Sequence, residues 1–428
     1  MSSNENILVI GSGVAGMEAC IMLSKAGKKV YLVEKLPIIG GKTIKNEETF
    51  PNLDCSTCLV APIQQAILQD KNIEVFTYSK VEKVSGQRGN FSVTIRKKAR
   101  FVSLELCLGC GMCYEPCPVS LPNEWEENLM EKKAVYVPCS GSLPNVPVID
   151  AEKCLHLNGT DRSCNICVDS CMFAAIDLDD KDQIIEIIAS EIIVAAGFDL
   201  YDVSQIDRFG YGKYQGVYTS MEFERLFASN GPTEGKIITR NGKIPESVAI
   251  IQCAGREESG YCSAICCMSS SKHAHLIKDK LHSVKIYNLY SDSCLTDKNY
   301  QKFHQSVRSN DSEYIFQSDM KSVKVTEEEG KLKISYLYGK NEDSVIVDMV
   351  ILANSLKPSN GIGELTEILG IDVDKFGFIS VEPYEIGSVE TTKAGIFVAG
   401  CAEGPKDIQS SILQAEAAVA GVLAIAKV

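Results

Sequence analysis

Cys107, Cys110, Cys113 and Cys117 lie in the run CLGCGMCYEPCP, whose C-x₂-C-x₂-C-x₃-C-P spacing is that of thiolates wrapping a [4Fe–4S] cubane. Three thiols on one tight loop reach three irons of the same cluster, while the fourth, held away by Pro118, ordinarily reaches a second cluster. A second set must therefore follow, and Cys154, Cys164, Cys167 and Cys171 supply it in CLHLNGTDRSCNICVDSC. The last three keep a C-x₂-C-x₃-C spacing; the first is displaced upstream by an inserted loop, and Met172 stands where a closing proline is usual. By the usual crossover, Cys107, Cys110, Cys113 and Cys171 hold one cluster, and Cys154, Cys164, Cys167 and Cys117 hold the other. Zinc ribbons or structural thiols are the competing reading, and eight cysteines in this order disfavour it. The chemistry expected is electron transfer.

A second chemistry begins at the N-terminus. Asn6 to Ile10 reads as a buried parallel strand, Gly11-Ser12-Gly13-Val14-Ala15-Gly16 as a GxGxxG turn, and Met17 to Lys25 as an apolar-faced helix. Gly11 makes the turn, Gly13 admits a pyrophosphate close to the backbone, and Gly16 lets the helix pack on the sheet. Val14 and Ala15 open the helix, whose dipole favours the anion. The next strand, KKVYLVEK, ends in Glu34, about 20 residues on and placed for a ribose hydroxyl pair. Lys35 follows it, and then Gly40-Gly41 and Lys42. The glycine pair is common in flavoproteins that bind FAD this way. Cys20, inside the helix, is expected to be a small core hydrophobe.

The C-terminal end repeats this logic. TKAGIFVAGC is an apolar strand running into a turn at Gly400 and Cys401, followed by the small-residue helix SSILQAEAAVAGVLAIAK. The segment resembles the closing part of two-dinucleotide-domain flavin disulfide reductases. That likeness implies that Gly400, Cys401, Asp407 and Ile408 lie near the flavin; Lys406 reads either as a cation beside it, favouring its anionic reduced form, or as a solvated loop lysine. Two departures stand out: Cys401 replaces the usual acidic residue, and the loop CAEGPKDIQ is long. EIIVAAGF at 191–198, with Ala196 and Gly197 at its end, and DMVILANSLKPS at 348–359 fit the crossing strands of that architecture.

Between them a pyridine-nucleotide reductase carries a second glycine fingerprint for NAD(P)H. Here SVAIIQCAGR fills that position, with Gln252 or Cys253 in place of the first turn glycine, so nicotinamide binding is not expected. Instead Cys253, Cys262, Cys266 and Cys267 gather in IQCAGREESGYCSAICC. They are candidates for a further iron–sulfur cluster with a non-ferredoxin spacing, or else for a redox thiol pair or inert packing. Cys55 and Cys58, in CSTC ahead of a helix, allow three readings: cluster ligands completed by other cysteines or a partner chain, a redox pair, or structural thiols. Cys139 and Cys294 are isolated in the sequence and read as packing residues.

Taken together, GSGVAGMEA, VEK with its GG, FPNLDCSTC, CLGCGMCYEPCP, AVYVPCSGSLPNVPVID, IQCAGREESGYCSAICC and AGCAEGPKDIQSSILQAEAA resemble HdrA, the flavin subunit of heterodisulfide reductase. The likeness spans residues 5 to 428. It implies an α/β fold: a thioredoxin-reductase-like flavoprotein of two dinucleotide-binding domains, with an inserted bacterial-type two-[4Fe–4S] ferredoxin domain. Longer members carry an extra N-terminal domain and a C-terminal ferredoxin module, neither found in these residues. Short relatives occur in sulfur-oxidation complexes, quinone-interacting oxidoreductases and the class II benzoyl-CoA reductase complex, which leaves the partner enzyme open.

The expected organisation is an FAD domain at 1–100, the ferredoxin insertion at 101–180, FAD-domain residues 181–200, a nucleotide-domain-like region without its fingerprint at 201–350, and a closing FAD-domain part at 351–428. A chain of 428 residues, 45% hydrophobic, supports roughly two to three domains. A net charge of −13 makes nucleic acid an unlikely partner. Eighteen cysteines without a leader before NILVIGSG point to metal-bound thiols in the cytoplasm. No run reaches the ~18–20 apolar residues of a membrane span. The function expected is an FAD and iron–sulfur electron-transfer subunit of a heterodisulfide-reductase-like oxidoreductase. The resemblance adds flavin-based bifurcation between partner subunits and ferredoxin, and allows a homodimer. The alternatives are a stand-alone NAD(P)H-dependent flavin disulfide reductase and a scaffold with vestigial sites.

Overall fold

The strand at Asn6–Ile10 alternates its side chains between two layers. Ile7 and Val9 pack under the helices Val14–Lys25, Ser56–Gln69 and Ile408–Ile425, whereas Leu8 and Ile10 pack against an antiparallel sheet on the other face. This is the period-two pattern of a strand buried on both faces. In the computed structural model, which describes residues 6–309, 312–382 and 388–425, this strand is the centre of a five-stranded parallel sheet. The order is Ile396–Val398, Glu191–Val194, Asn6–Ile10, Lys29–Val33, Ile73–Phe76. Cys20 is fully buried among the helices.

The antiparallel layer consists of Ser79–Gln87, Asn90–Lys97 and Gln183–Ala189. Arg88-Gly89 turn the first pair, since Gln87 faces Asn90 and Gly89 takes φ +87°. On the other side Lys97 faces Gln183. The cysteine-rich segment is therefore an excursion from the end of a hairpin, and its stem is stitched shut. Asp177 N donates to Phe101 O at 3.0 Å, Ser103 N to Ala175 O at 2.8 Å, and Ala99 N to Asp182 Oδ1 at 2.9 Å. Within it lie the short ribbons Ser120–Pro122 with Glu131–Lys133 and Val135–Tyr136 with Val148–Ile149. Its small core packs Phe101, Val102, Val135, Val146 and Ile149 against the thiols of Cys107, Cys113, Cys117, Cys154, Cys167 and Cys171.

The second domain repeats the plan. Val217–Thr219, Met349–Asn354, Ser247–Ala254, Lys285–Tyr290 and Ser312–Phe316 form a parallel sheet in that order. Val248 and Ile250 face helices, while Ala249 and Ile251 face the antiparallel strands Lys324–Glu328, Lys331–Tyr338 and Asn341–Val347. The chain crosses between the domains on a two-stranded ribbon, Phe198–Leu200 against Leu356–Pro358. The strand Met349–Asn354, which the sequence division at 350/351 cuts, belongs wholly to the second sheet. The passage to the closing segment therefore falls at the ribbon, because the register Val248↔Met349 commits those residues to the second domain.

One buried guanidinium ties three segments together. Arg225, on the capped helix Ser220–Phe227, is bidentate to Glu126 of the excursion at 2.7 and 3.0 Å, and it donates to Lys45 O of the first domain at 2.7 Å. Alongside, Lys272 and His273 both meet the buried carboxylate of Glu224.

Candidate functional site

The glycine turn is built so that only glycine fits where the backbone closes on itself. At Gly11, with φ +100°, a Cβ would stand 2.3 Å from Ala195 O; at Gly16 it would stand 1.8 Å from Gly11 O. Gly13 is different: φ is −70° and no protein atom lies within 4 Å of its would-be Cβ. It borders the open space at the start of the helix Val14–Lys25, which has no side-chain cap and no acidic residue in its first turn. The leading N–H groups of that helix thus have no intrahelical partner, which is the arrangement that receives a diphosphate. Gly40 and Gly41 dock on the same turn: Gly40 N donates to Ser12 O at 2.9 Å, and a Cβ on Gly41 would come within 2.7 Å of Gly13 Cα. Glu34 is buried and accepts from Ser12 N, Ser12 Oγ and Leu36 N at 2.7–2.8 Å. About one of its four acceptor positions is left for a hydroxyl.

These features fit FAD, and they separate fold from binding. Gly13→Val is expected to give a chain with unchanged far-ultraviolet circular dichroism that elutes from gel filtration without FAD. Full flavin retention by that variant contradicts a diphosphate at Gly13.

The closing segment approaches the same place. Gly400, at φ +68°, has room for no more than a hydrogen beside Ala15, whose Cβ lies 2.9 Å from the Cβ it would carry. Two helix starts, at Val14 and Ile408, are thereby brought together. Asp407 caps the second, accepting from Ser410 N at 2.7 Å, and also accepts from Tyr300 OH at 2.5 Å. Cys401 is buried, and its thiol meets Lys406 O at 3.2 Å. Lys406 Nζ is ion-paired with Glu403, three residues earlier, so this lysine presents a neutralised pair rather than an isolated cation. Lys42 is likewise paired, with Asp199 at 2.5 Å beside the crossing ribbon; Ala196 and Gly197 lead into that ribbon, Gly197 at φ +71°.

The eight thiols of the excursion gather around two cavities. Cys107, Cys110, Cys113 and Cys171 line one, with Leu108, Met112, Phe173 and Ile176. Cys117, Cys154, Cys164 and Cys167 line the other, with Val119, Val135, Ile149 and Ile166, and both are partly open to solvent. Each cavity thus takes three thiols from one half and one from the other. Burial pushes Cys113 up to about 12 and Cys167 to about 11, so a metal that takes their thiolates displaces a proton from each. Among the described residues no group of three or more His, Cys, Asp or Glu converges on a single-ion site. The thiols surround spaces instead, a donor set that suits a cluster.

A third gathering lies in the second domain. Cys253, at φ +60° near the end of Ser247–Ala254, is buried with Cys266 and Cys267, which open the helix Cys266–Lys280. A hydrogen bond from Cys266, then the guanidinium of Arg256, draw the Cys253 thiol down to about 7. Arg256 is held by Asp292 at 2.8 Å. Cys262, ahead of that helix, is half-buried. Cys294, read from the sequence as a packing residue, also joins: its N–H donates to Cys267 Sγ at 3.4 Å and its thiol meets Cys262. Cys55 and Cys58 stand apart and exposed at the start of Ser56–Gln69, with Cys58 N donating to Cys55 Sγ at 3.3 Å.

Where a nicotinamide fingerprint would turn, this strand ends in the buried side chains of Gln252 and Cys253, and Gly255 is closed in by the Tyr201 ring. The protein by itself is expected not to oxidise NADH or NADPH at a useful rate. Rapid bleaching of its flavin by either nucleotide in a stopped-flow experiment contradicts this.

Two parallel sheets, each covered by helices and an antiparallel sheet and joined by a crossing ribbon, define the two-domain fold of thioredoxin-reductase-like flavoproteins. The sequence profile of the pyridine nucleotide-disulphide oxidoreductase family matches residues 2–115. Thioredoxin reductases from T. acidophilum and Lactococcus lactis superpose with a TM-score of 0.53 at 13% identity, over 99% of this chain and 100% of theirs; this likeness concerns the fold.

By sequence the chain is HdrA-like: over nearly its whole length it is similar to the A subunits of heterodisulfide reductases. It is 36% identical over 435 residues to the HdrA subunit of the H(2):CoB-CoM heterodisulfide,ferredoxin reductase of Methanothermobacter marburgensis. It is 35% identical over 431 residues to the HdrA iron-sulfur subunit of the CoB-CoM heterodisulfide reductase of Methanocaldococcus jannaschii. Both alignments cover 98% of this chain and 64% of the relative, so the chain spans somewhat under two thirds of their length. No helix among the described residues is long and apolar enough to cross a membrane.

Proposed function

We propose that this chain is the FAD and iron–sulfur electron-transfer subunit of a heterodisulfide-reductase-like complex, dividing electron pairs between partner subunits and ferredoxin. The observation that carries the reading is the crossed gathering of four thiols about each of two cavities in one excursion from a dinucleotide-binding domain. When bound, FAD takes up electrons in pairs and releases them singly, and cubanes accept them one at a time. The residues of the chain supply the rest. Gly11, Gly13 and Gly16 with the N–H groups of Val14 and Ala15 hold the diphosphate, and Glu34 takes a ribose hydroxyl. Gly400, Asp407 and Ile408 bring a second helix start toward the same cofactor. Cys107, Cys110, Cys113 and Cys171 hold one cluster, and Cys117, Cys154, Cys164 and Cys167 the other. Cys253, Cys262, Cys266 and Cys267 hold a third. Cys55 and Cys58, exposed together, are placed for a ligand set that a partner chain completes.

The first of these cavities opens onto an apolar surface. Leu108, 70% exposed, lines it with Met112 and Phe173, and Met172, 80% exposed, stands between Cys171 and Phe173 in the chain. Such a surface suits one-electron exchange with another subunit. The proposal accounts for a flavin fold that lacks a nicotinamide turn, which a stand-alone reductase requires. Anaerobic purification from native cells tests it: further redox subunits should copurify, and the assembly should reduce ferredoxin from a two-electron donor. A chain recovered alone and exchanging no electrons contradicts it.

A further inference from the structure

Five thiols, not four, follow one another in contact in the second domain, Cys253 to Cys266, Cys266 to Cys267, Cys267 to Cys294 and Cys294 to Cys262, although a cubane uses four. Cys253, Cys266 and Cys267 are buried to between 1% and 5% exposure and fixed by their elements, a strand end and a helix start. They set three corners. The fourth corner has two candidates on different loops, Cys262 ahead of the helix and Cys294 after the strand Lys285–Tyr290. Cys294 packs against Cys266 and Cys267, its N–H points at Cys267 Sγ at 3.4 Å, and its thiol contacts that of Cys262. Cys262 sits on a bend: Ala264, two residues on, has φ +57°, and its N–H donates to Cys262 Sγ at 3.4 Å. Neither thiol is locked as deeply as the other three.

We infer that Cys262 and Cys294 are interchangeable ligands for the fourth corner of the cluster in the second domain. The inference rests on the proposed cluster at Cys253, Cys266 and Cys267. Whichever thiol binds, the other stays beside it as an uncommitted thiol, so the site keeps its iron when one ligand is lost. Exchange of the two moves no electrons: one thiolate leaves an iron, another binds, and the leaving thiolate takes the proton the incoming thiol gives up.

The test uses the full chain prepared anaerobically, with iron and acid-labile sulfide counted per FAD. Cys262→Ser and Cys294→Ser should each keep the parent's iron, and the double variant Cys262→Ser/Cys294→Ser should lose about four irons, one cubane. In the parent, brief iodoacetamide treatment of the folded protein followed by peptide mapping should place label on both Cys262 and Cys294, summing to about one alkyl group per chain because a cubane occupies one of the two; label confined to one of them overturns the inference. Loss of about four irons from Cys262→Ser alone, or from Cys294→Ser alone, overturns the inference while leaving the cluster itself in place. Full iron in the double variant overturns it too. The underlying reading is checked separately: Cys266→Ser/Cys267→Ser should remove about four irons with FAD retained, and unchanged iron there means that these cysteines hold no cluster at all.

Discussion

Replacing Cys110 and Cys167 by alanine is expected to lower iron by about four atoms for each substitution and to abolish electron exchange with external ferredoxin or a partner subunit. Photoreduction of the FAD should survive. The two residues belong to different cavities, Cys110 to the one lined by Leu108 and Met112, Cys167 to the one lined by Val135 and Ile149. Neither lies near the glycine turn in the chain, and the proposed flavin site is built around Gly11 to Gly16, Gly40, Gly41 and Gly400. Loss of a thiolate should therefore separate the two chemistries: flavin reduction continues and onward transfer stops. Iron analysis with ferredoxin-coupled assays measures both. Transfer at the parent rate in the double variant would make the excursion structural and would route electrons through the thiols between Cys253 and Cys267.

The second large effect concerns the joint of the three segments. Arg225 and Glu126 are 1% and 5% exposed at their side chains. Removing the guanidinium with Arg225→Ala leaves a buried carboxylate without its partner, which costs about 3–5 kcal/mol. It also frees the carbonyl of Lys45 from its donor. The apparent Tm should fall by about 3–6 °C, and limited proteolysis should cut earlier between 98 and 182. Arg225→Met/Glu126→Leu should recover most of that loss, because apolar groups of similar size replace a buried ion pair at little cost. A fall of less than about 2 °C for Arg225→Ala would mean that water already reaches the pair.

What the sequence carries well is chemistry encoded within one loop. The glycine turn is legible because the steric demand on Gly11 and Gly16 arises from residues a few positions away or from the strand it always faces. The paired cysteine sets are legible because fixed spacing dictates which thiols share a corner, and the crossover of Cys117 and Cys171 follows from it. Cys294 was not legible. Its approach to Cys262 and Cys267 depends on Lys285–Tyr290 lying parallel to Ser247–Ala254, a tertiary fact that no local spacing records. The same holds for Arg225 and Glu126, nearly a hundred residues apart, and for the run MVILAN, whose apolar character reads as a buried strand without saying in which sheet. Lys406 is a milder case, since Glu403 three residues before it was a visible candidate partner.

The central claim is that a flavin in the glycine turn exchanges electrons with cubanes held by the thiols of the excursion. Stepwise photoreduction of the anaerobically purified chain, followed together by visible absorbance and low-temperature electron paramagnetic resonance, tests it most directly. The account predicts bleaching of the flavin with the appearance of reduced [4Fe–4S] signals, one part of which is missing in Cys110→Ala and another in Cys167→Ala. A chain that holds flavin but no iron, or whose flavin reduces fully while its clusters stay oxidised in the presence of a low-potential reductant, contradicts it.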